Sequence, residues 1–105
     1  MAASKDEVIR DIKKYIAELN KSGIYVHKAV LFGSWARGKA TEESDVDVAL
    51  VSDTFTGDRI QDRRKIVPFR RKINTRIEPM PFTQDDFNTK GILAEEIAKY
   101  GQEIR

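Results

Sequence analysis

The feature of this chain that most restricts its fold is a pair of apolar runs with a fixed spacing between them. The first run ends in Gly33-Ser34, ten residues follow, and Asp45-Val46-Asp47 leads into the second. Ile24–Phe32 is apolar and β-branched enough to predict a strand, strongest from Lys28 onward. Gly33 ends it. Ser34-Trp35-Ala36-Arg37 has room for only a turn or two of helix before Gly38, and Lys39–Ser44 reads as a polar loop. Asp45–Val51 predicts the second strand. Its unbroken Val48, Ala49, Leu50, Val51 run calls for burial on both faces.

Side chains alternate along a strand, so Asp45 and Asp47 project from one face and Val46 and Val48 from the other. Two carboxylates aimed the same way repel, which raises the pKa of at least one unless a cation sits between them. Oxygen-only ligands suit Mg²⁺ or Mn²⁺, ions that keep several waters and bind substrate phosphates. The same two aspartates also read as turn residues capping the loop before the strand. Gly33 after a strand lets backbone approach a ligand closely. Ser34 then stands at a helix N-terminus, where free N–H groups favour an anion. The pattern is not a P-loop, because the Gly-Lys-Ser/Thr ending and the preceding glycine are missing.

The rest of the chain supplies support. Ser4-Lys5-Asp6-Glu7 has the form of a capping box. It opens a helix with Val8, Ile9, Ile12, Ile16 and Leu19 on its apolar stripe and Tyr15 on the margin, closed at Gly23. Asp58 predicts the cap of a basic helix that turns Ile60, Ile66, Val67, Phe69 and Ile73 inward and is kinked or divided at Pro68. Thr75–Met80 predicts a third strand that lies at an edge or ends at its prolines, because Pro79 and Pro81 cannot donate to a ladder. Thr83-Gln84-Asp85-Asp86 caps a short helical turn. Asn88-Thr89 opens a final helix with Ile92, Leu93 and Ile97, ended by Gly101, and Ile104 marks a small returning strand. The expected fold class is α/β (α+β), in the order α-β-α-β-α-β, with a mixed sheet of three or four strands packed by helices.

Length and composition bound the rest. At 105 residues, one domain spanning 1–105 is expected. No cysteine is present, which excludes disulfides and thiolate metal sites. No apolar run approaches the ~20 residues of a membrane span, and no basic region followed by an apolar stretch opens the chain, so a cytoplasmic location is expected. The net charge of +2 is small, but its distribution is uneven. Arg59, Arg63, Arg64, Lys65, Arg70, Arg71, Lys72 and Arg76 share their segment with a single acid, Asp62. Such a segment reads as a solvated helix face, or as a surface for nucleic acid, a nucleotide or an acidic partner.

Leu31-Phe32-Gly33-Ser34-Trp35-Ala36-Arg37-Gly38 followed by Ser44-Asp45-Val46-Asp47 resembles the signature of the DNA polymerase β-like nucleotidyltransferase superfamily. Within it, the chain resembles the minimal nucleotidyltransferases (the MNT family) over nearly its whole length. The resemblance implies that Gly33 and Ser34 receive the triphosphate of ATP and that Asp45 and Asp47 hold Mg²⁺. It also implies a third carboxylate on the following strand. Glu78, the acidic residue of that strand, is the match, although Asp is the commoner residue there. Glu78 would hold a second metal and take the proton of the acceptor hydroxyl. Two ions roughly 3.5–4 Å apart would then clamp the attacking and leaving oxygens. The reaction so implied moves AMP to a hydroxyl and releases pyrophosphate. The short chain leaves little room for an acceptor domain, and the resemblance implies a HEPN-type RNase toxin as acceptor, with this chain as its antitoxin.

Arg37, a helical turn beyond Ser34, is a candidate phosphate contact or the partner of Glu42 or Glu43 in an ion pair. Trp35 reads as a base-stacking residue, a docking residue or packing over the first helix. His27 is expected in solvent, and Tyr15, Tyr25 and Tyr100 in the core or at its rim. A different class of function is also open: the same fold acting as a protein-binding inhibitory module with catalysis weak or lost. Direct nucleic-acid binding through the basic segment is not favoured.

Overall fold

The structure, a computed structural model, describes residues 4–41, 43–89 and 91–105, the side chains of Ile92 and Leu93 excepted. Helix α1 runs Lys5–Lys21, and Ser4 caps it as expected, its side chain accepting a hydrogen bond from the Glu7 N–H at 3.1 Å. Gly23, at φ +90°, turns the chain out of the helix. Strand β1 (Lys28–Phe32) leads into α2 (Gly33–Ala36), and β2 (Val46–Val51) into α3 (Arg59–Ile66), capped by Asp58. A 3₁₀ turn over Val67–Arg70 carries Pro68, so the basic helix is divided there rather than merely bent. Strand β3 (Ile77–Phe82), helices α4 (Gln84–Asn88) and α5 (Ile92–Tyr100) and strand β4 (Gln102–Ile104) complete the chain.

The four strands form one mixed sheet in the order β3-β2-β1-β4. Strand β1 is antiparallel to both β2 and β4, and β3 runs parallel to β2 after the crossover through α3. Strand β3 lies at an edge, as its prolines demand, but it passes through them instead of stopping. The Val46 N–H donates to the Arg76 carbonyl and the Ser52 N–H to the Phe82 carbonyl. In this parallel register the backbone of Glu78, Met80 and Phe82 bonds to β2, and Pro79 and Pro81 turn their nitrogens to the open edge.

Strand alternation divides the core into two layers. Ala29, Leu31, Val46, Val48, Leu50 and Ile77 face α1, where they meet Val8, Ile12, Tyr15 and Leu19, with Ile66 beside them. Val30, Phe32, Ala49, Val51 and Phe82 face the opposite way, toward Ile97 of α5. The predicted two-sided burial of β2 is therefore present. Two readings of side-chain direction and one helix boundary are corrected. Tyr15 is fully buried in the middle of the α1 stripe rather than on its margin, because its hydroxyl finds the Ile66 carbonyl at 2.6 Å. Ile60, in the first turn of α3, is 70% exposed rather than turned inward. The final helix opens at Gly91 rather than at Asn88-Thr89, which close α4. Ile97 is buried as expected, and the side chains of Ile92 and Leu93 lie outside the described residues.

Asp62, the lone acid of the basic segment, is buried and clamps the β2–α3 loop. Its carboxylate accepts from the N–H groups of Thr56 and Gly57 and from Thr56 Oγ1, at 2.9–3.0 Å. Among the described residues no helix is long and apolar enough to cross a membrane.

Candidate active site

The Gly33 turn is forced by two independent constraints. Gly33 adopts φ +71°, a left-handed conformation costly to any residue with a Cβ. In the antiparallel β1–β2 register Phe32 stands opposite Asp47, so the next residue lies against the Asp47 side chain. A methyl group on Gly33 would collide with Asp47 Oδ2 and stand 3.2 Å from Cγ. The chain continues into α2, with the Arg37 N–H on the Gly33 carbonyl and the Lys39 N–H on the Ser34 carbonyl. It leaves through Gly38 at φ +72°. Glycine-serine and the aspartate strand thus form one contiguous surface at the end of the β1–β2 pair.

Asp47 and Glu78 are register partners across β2 and β3 and share the face that carries Ala49, Met80 and Phe82. Asp45 lies two residues before Asp47, exposed, just outside the strand. Burial pushes the Asp47 carboxyl above its ordinary pKa, and the charges of Asp45 and Glu78 push it the same way. Burial also acts upward on Glu78, but hydrogen bonds and charge from Arg70 and Arg63 outweigh it and leave that carboxyl below the ordinary range. Arg63 Nη2 donates to Glu78 Oε2 at 2.6 Å and Arg70 Nη1 to Oε1 at 2.8 Å; Arg70 Nη1 also donates to the Ile77 carbonyl at 2.7 Å. Glu78, its side chain 34% exposed, is therefore paired with Arg63 and Arg70.

The fit of a divalent cation follows from these contacts. Asp45 and Asp47 offer anionic oxygens beside a turn stripped of side-chain bulk, which suits a hard, oxygen-liganded ion. Both Glu78 oxygens are engaged by guanidinium groups. Accordingly, among the described residues no group of three or more acidic or histidine side chains is arranged around one metal position. The structure sets Gly33 against Asp47, with Ser34 next in the chain and Asp45 near enough for its charge to act on Asp47. Glu78 stands opposite Asp47 but is held by Arg63 and Arg70.

Arg37 leans on α5, with its guanidinium 4.0 Å from Glu96 and 4.9 Å over the Tyr100 ring. Its acidic partner is thus Glu96 rather than Glu43, and Glu42 lies outside the described residues. Trp35 packs against the α1-side core, its indole Nε1 buried without a hydrogen-bond partner among the described residues. His27 is exposed, 3.7 Å from Asp53. Tyr25 and Tyr100 are exposed, unlike Tyr15. Sequence reasoning missed the pairing of Arg63 and Arg70 with Glu78. The available signal was one acid on a strand that follows a segment of eight cations.

Comparison with known proteins gives the family and the fold. A family model described as a nucleotidyltransferase domain matches residues 9–100. A protein of Methanocaldococcus jannaschii named "Putative protein adenylyltransferase MJ0141" is 32% identical over 103 residues, covering 93% of this chain and 96% of its own length. A second from the same organism, "Putative protein adenylyltransferase MJ1379", is 33% identical over 67 residues, covering 64% of this chain and 63% of its own. A crystal structure from Sulfolobus solfataricus, described as a "putative nucleotidyltransferase", superposes with a TM-score of 0.67 at 18% identity. It covers 94% of this chain and 80% of that one, and shows that the fold is shared.

Proposed function

The chain belongs to the nucleotidyltransferase domain family, and from that premise we propose that it transfers AMP from ATP to a hydroxyl group of a partner protein. The whole chain, 1–105, would act as one domain in the cytoplasm. The observation that carries this reading is the contact between the side-chain-free Gly33 turn and Asp47, which puts an anion-receptive turn beside a carboxylate pair. Gly33 and Ser34 receive the triphosphate, and Asp45 and Asp47 hold Mg²⁺, for which Mn²⁺ can substitute. When bound, the metal neutralises phosphate charge and polarises the α-phosphate.

The acceptor oxygen forms a bond to the α-phosphorus, and the bond from that phosphorus to the β-bridging oxygen breaks. Pyrophosphate leaves, and the acceptor proton passes to Glu78 once Glu78 is free of its arginines. Positioning and charge neutralisation supply the catalysis. The relatives' names support a protein acceptor. Resemblance to the minimal nucleotidyltransferases narrows the acceptor to a HEPN-type toxin.

The test mixes the protein, Mg²⁺, α-labelled ATP and a co-encoded HEPN-type protein. Label should appear on the partner and fall by about a hundredfold or more with Asp47→Asn, as expected when charge stabilisation is removed. No transfer beside a competent control enzyme overturns the reading.

A second reading rests on one observation, the engagement of both Glu78 oxygens. In it the chain neutralises its partner by binding alone, and Asp47→Asn would neutralise as well as the parent does.

A further inference from the structure

The two guanidinium groups on Glu78 come from the other side of the sheet. Helix α3 and the 3₁₀ turn pack through Ile66 and Phe69 on the layer formed by Val46, Val48 and Ile77. Glu78 belongs to the opposite face, with Met80 and Phe82. Arg63 and Arg70 therefore reach around the open edge of β3 to meet it. The contacts are 2.6 and 2.8 Å, and the Arg70 side chain is 24% exposed against 45% for Arg63.

Two forked, permanently charged donors converging on one carboxylate make an anion site, and the same geometry receives a phosphate. The position matters as much as the chemistry. Glu78 is the register partner of Asp47, and Asp47 lies against Gly33. Neighbouring strands are about 4.8 Å apart, so Glu78 and the Gly33 turn are separated by about 10 Å across β2. A nucleoside triphosphate seated on the turn can extend phosphate oxygens over that distance.

We infer that Arg63 and Arg70 form a second phosphate subsite for a nucleoside triphosphate, filled by Glu78 as an internal counter-anion until the polyphosphate displaces it. The inference rests on the nucleotide reading above. No covalent bond changes: one set of charge-assisted hydrogen bonds is exchanged for another. Loading the subsite also releases Glu78 beside Asp47, so the third carboxylate becomes free only when nucleotide is present.

The probe is magnesium tripolyphosphate, titrated calorimetrically into the folded chain. Arg63→Met/Arg70→Met should weaken binding about tenfold, the scale of losing charge-assisted hydrogen bonds. Glu78→Gln, which vacates the subsite, should tighten it about fivefold by the same reasoning. Added to the double arginine variant, Glu78→Gln should bring no gain. A gain that persists there is a general charge effect and overturns the subsite, as does unchanged affinity in the arginine variant. If that variant loses the parental circular dichroism, Arg63→Met alone, at a half-exposed side chain, carries the same test at smaller amplitude. Absence of binding by every form, parent included, sinks the nucleotide reading together with the subsite. Binding that Gly33→Val abolishes and the arginine variant leaves intact sinks the subsite alone.

Discussion

Asp47 and Glu78 stand opposite each other in the β2–β3 ladder, yet their carboxyl groups are shifted in opposite directions. Asp47 has burial and two acidic neighbours; Glu78 has two guanidinium groups. Among the described residues, one paired position thus holds a carboxylate without a cationic partner beside one that has two. An uncompensated carboxylate is what a cation stabilises, so the asymmetry identifies Asp47 as the more responsive of the two.

The pH dependence follows with opposite signs. The Asp47 pKa is higher in the folded than in the unfolded chain, so the folded state binds this proton more tightly. Its contribution is present below the ordinary value of 3.8 and is lost as pH rises through the folded value. Asp47→Asn should therefore stabilise the metal-free protein at neutral pH. Glu78 is the reverse: its contribution is present above the ordinary value of 4.5 and is lost as pH falls through its depressed folded value. Glu78→Gln should destabilise at neutral pH, by about 1 kcal/mol for a partly exposed pair, with the difference shrinking in acid. Urea titrations at pH 7 and pH 3 check both signs.

Divalent ions should raise the melting temperature by linkage. At a hundredfold excess over its dissociation constant, Mn²⁺ should add about 2.7 kcal/mol to the parent. Asp47→Asn should abolish most of that gain. Scanning calorimetry with and without Mn²⁺ reads it directly, and an equal gain in both proteins would contradict the assignment of the ion to the aspartates.

Gly33→Ala should cost about 2 kcal/mol, roughly 1 for the left-handed backbone and the remainder for collision with Asp47. Gly38→Ala has the same backbone problem, with nothing within 4 Å of the added methyl. It should cost only the first part. The difference between the two denaturation midpoints isolates the close approach to Asp47.

Two buried polar contacts outside the site should also be measurable. Tyr15→Phe leaves the Ile66 carbonyl without its 2.6 Å donor inside the core and should cost about 1–2 kcal/mol. Asp62→Ala strands the Thr56 and Gly57 N–H groups and should cost about 2–3 kcal/mol. Amide exchange at Thr56 and Gly57 should accelerate in that variant and stay unchanged in Tyr15→Phe.

Local patterning made the elements legible. The Ser4 cap, the Asp58 cap, the break at Pro68, the edge position of β3 and the returning strand near Ile104 all depend on a few adjacent residues. Side-chain direction was harder. The burial of Tyr15 is not legible locally, because it depends on a carbonyl 51 positions away in the chain. Ile60 is exposed although apolar, because which way a residue in a first helical turn points depends on how that turn sits on the rest of the fold.

The same division holds at the opening pattern. The Gly33-Ser34 turn and the Asp45-x-Asp47 strand entry are legible in the sequence as local pattern, and the antiparallel β1–β2 register then sets the glycine against Asp47. What Glu78 and Arg37 touch was decided by the tertiary structure. Long charged side chains choose among every group within reach, and those groups arrive from α3, the 3₁₀ turn and α5 only when the chain has folded. Strand register brings Glu78 to Asp47, and the arginines crossing the open sheet edge determine which way its carboxylate is held.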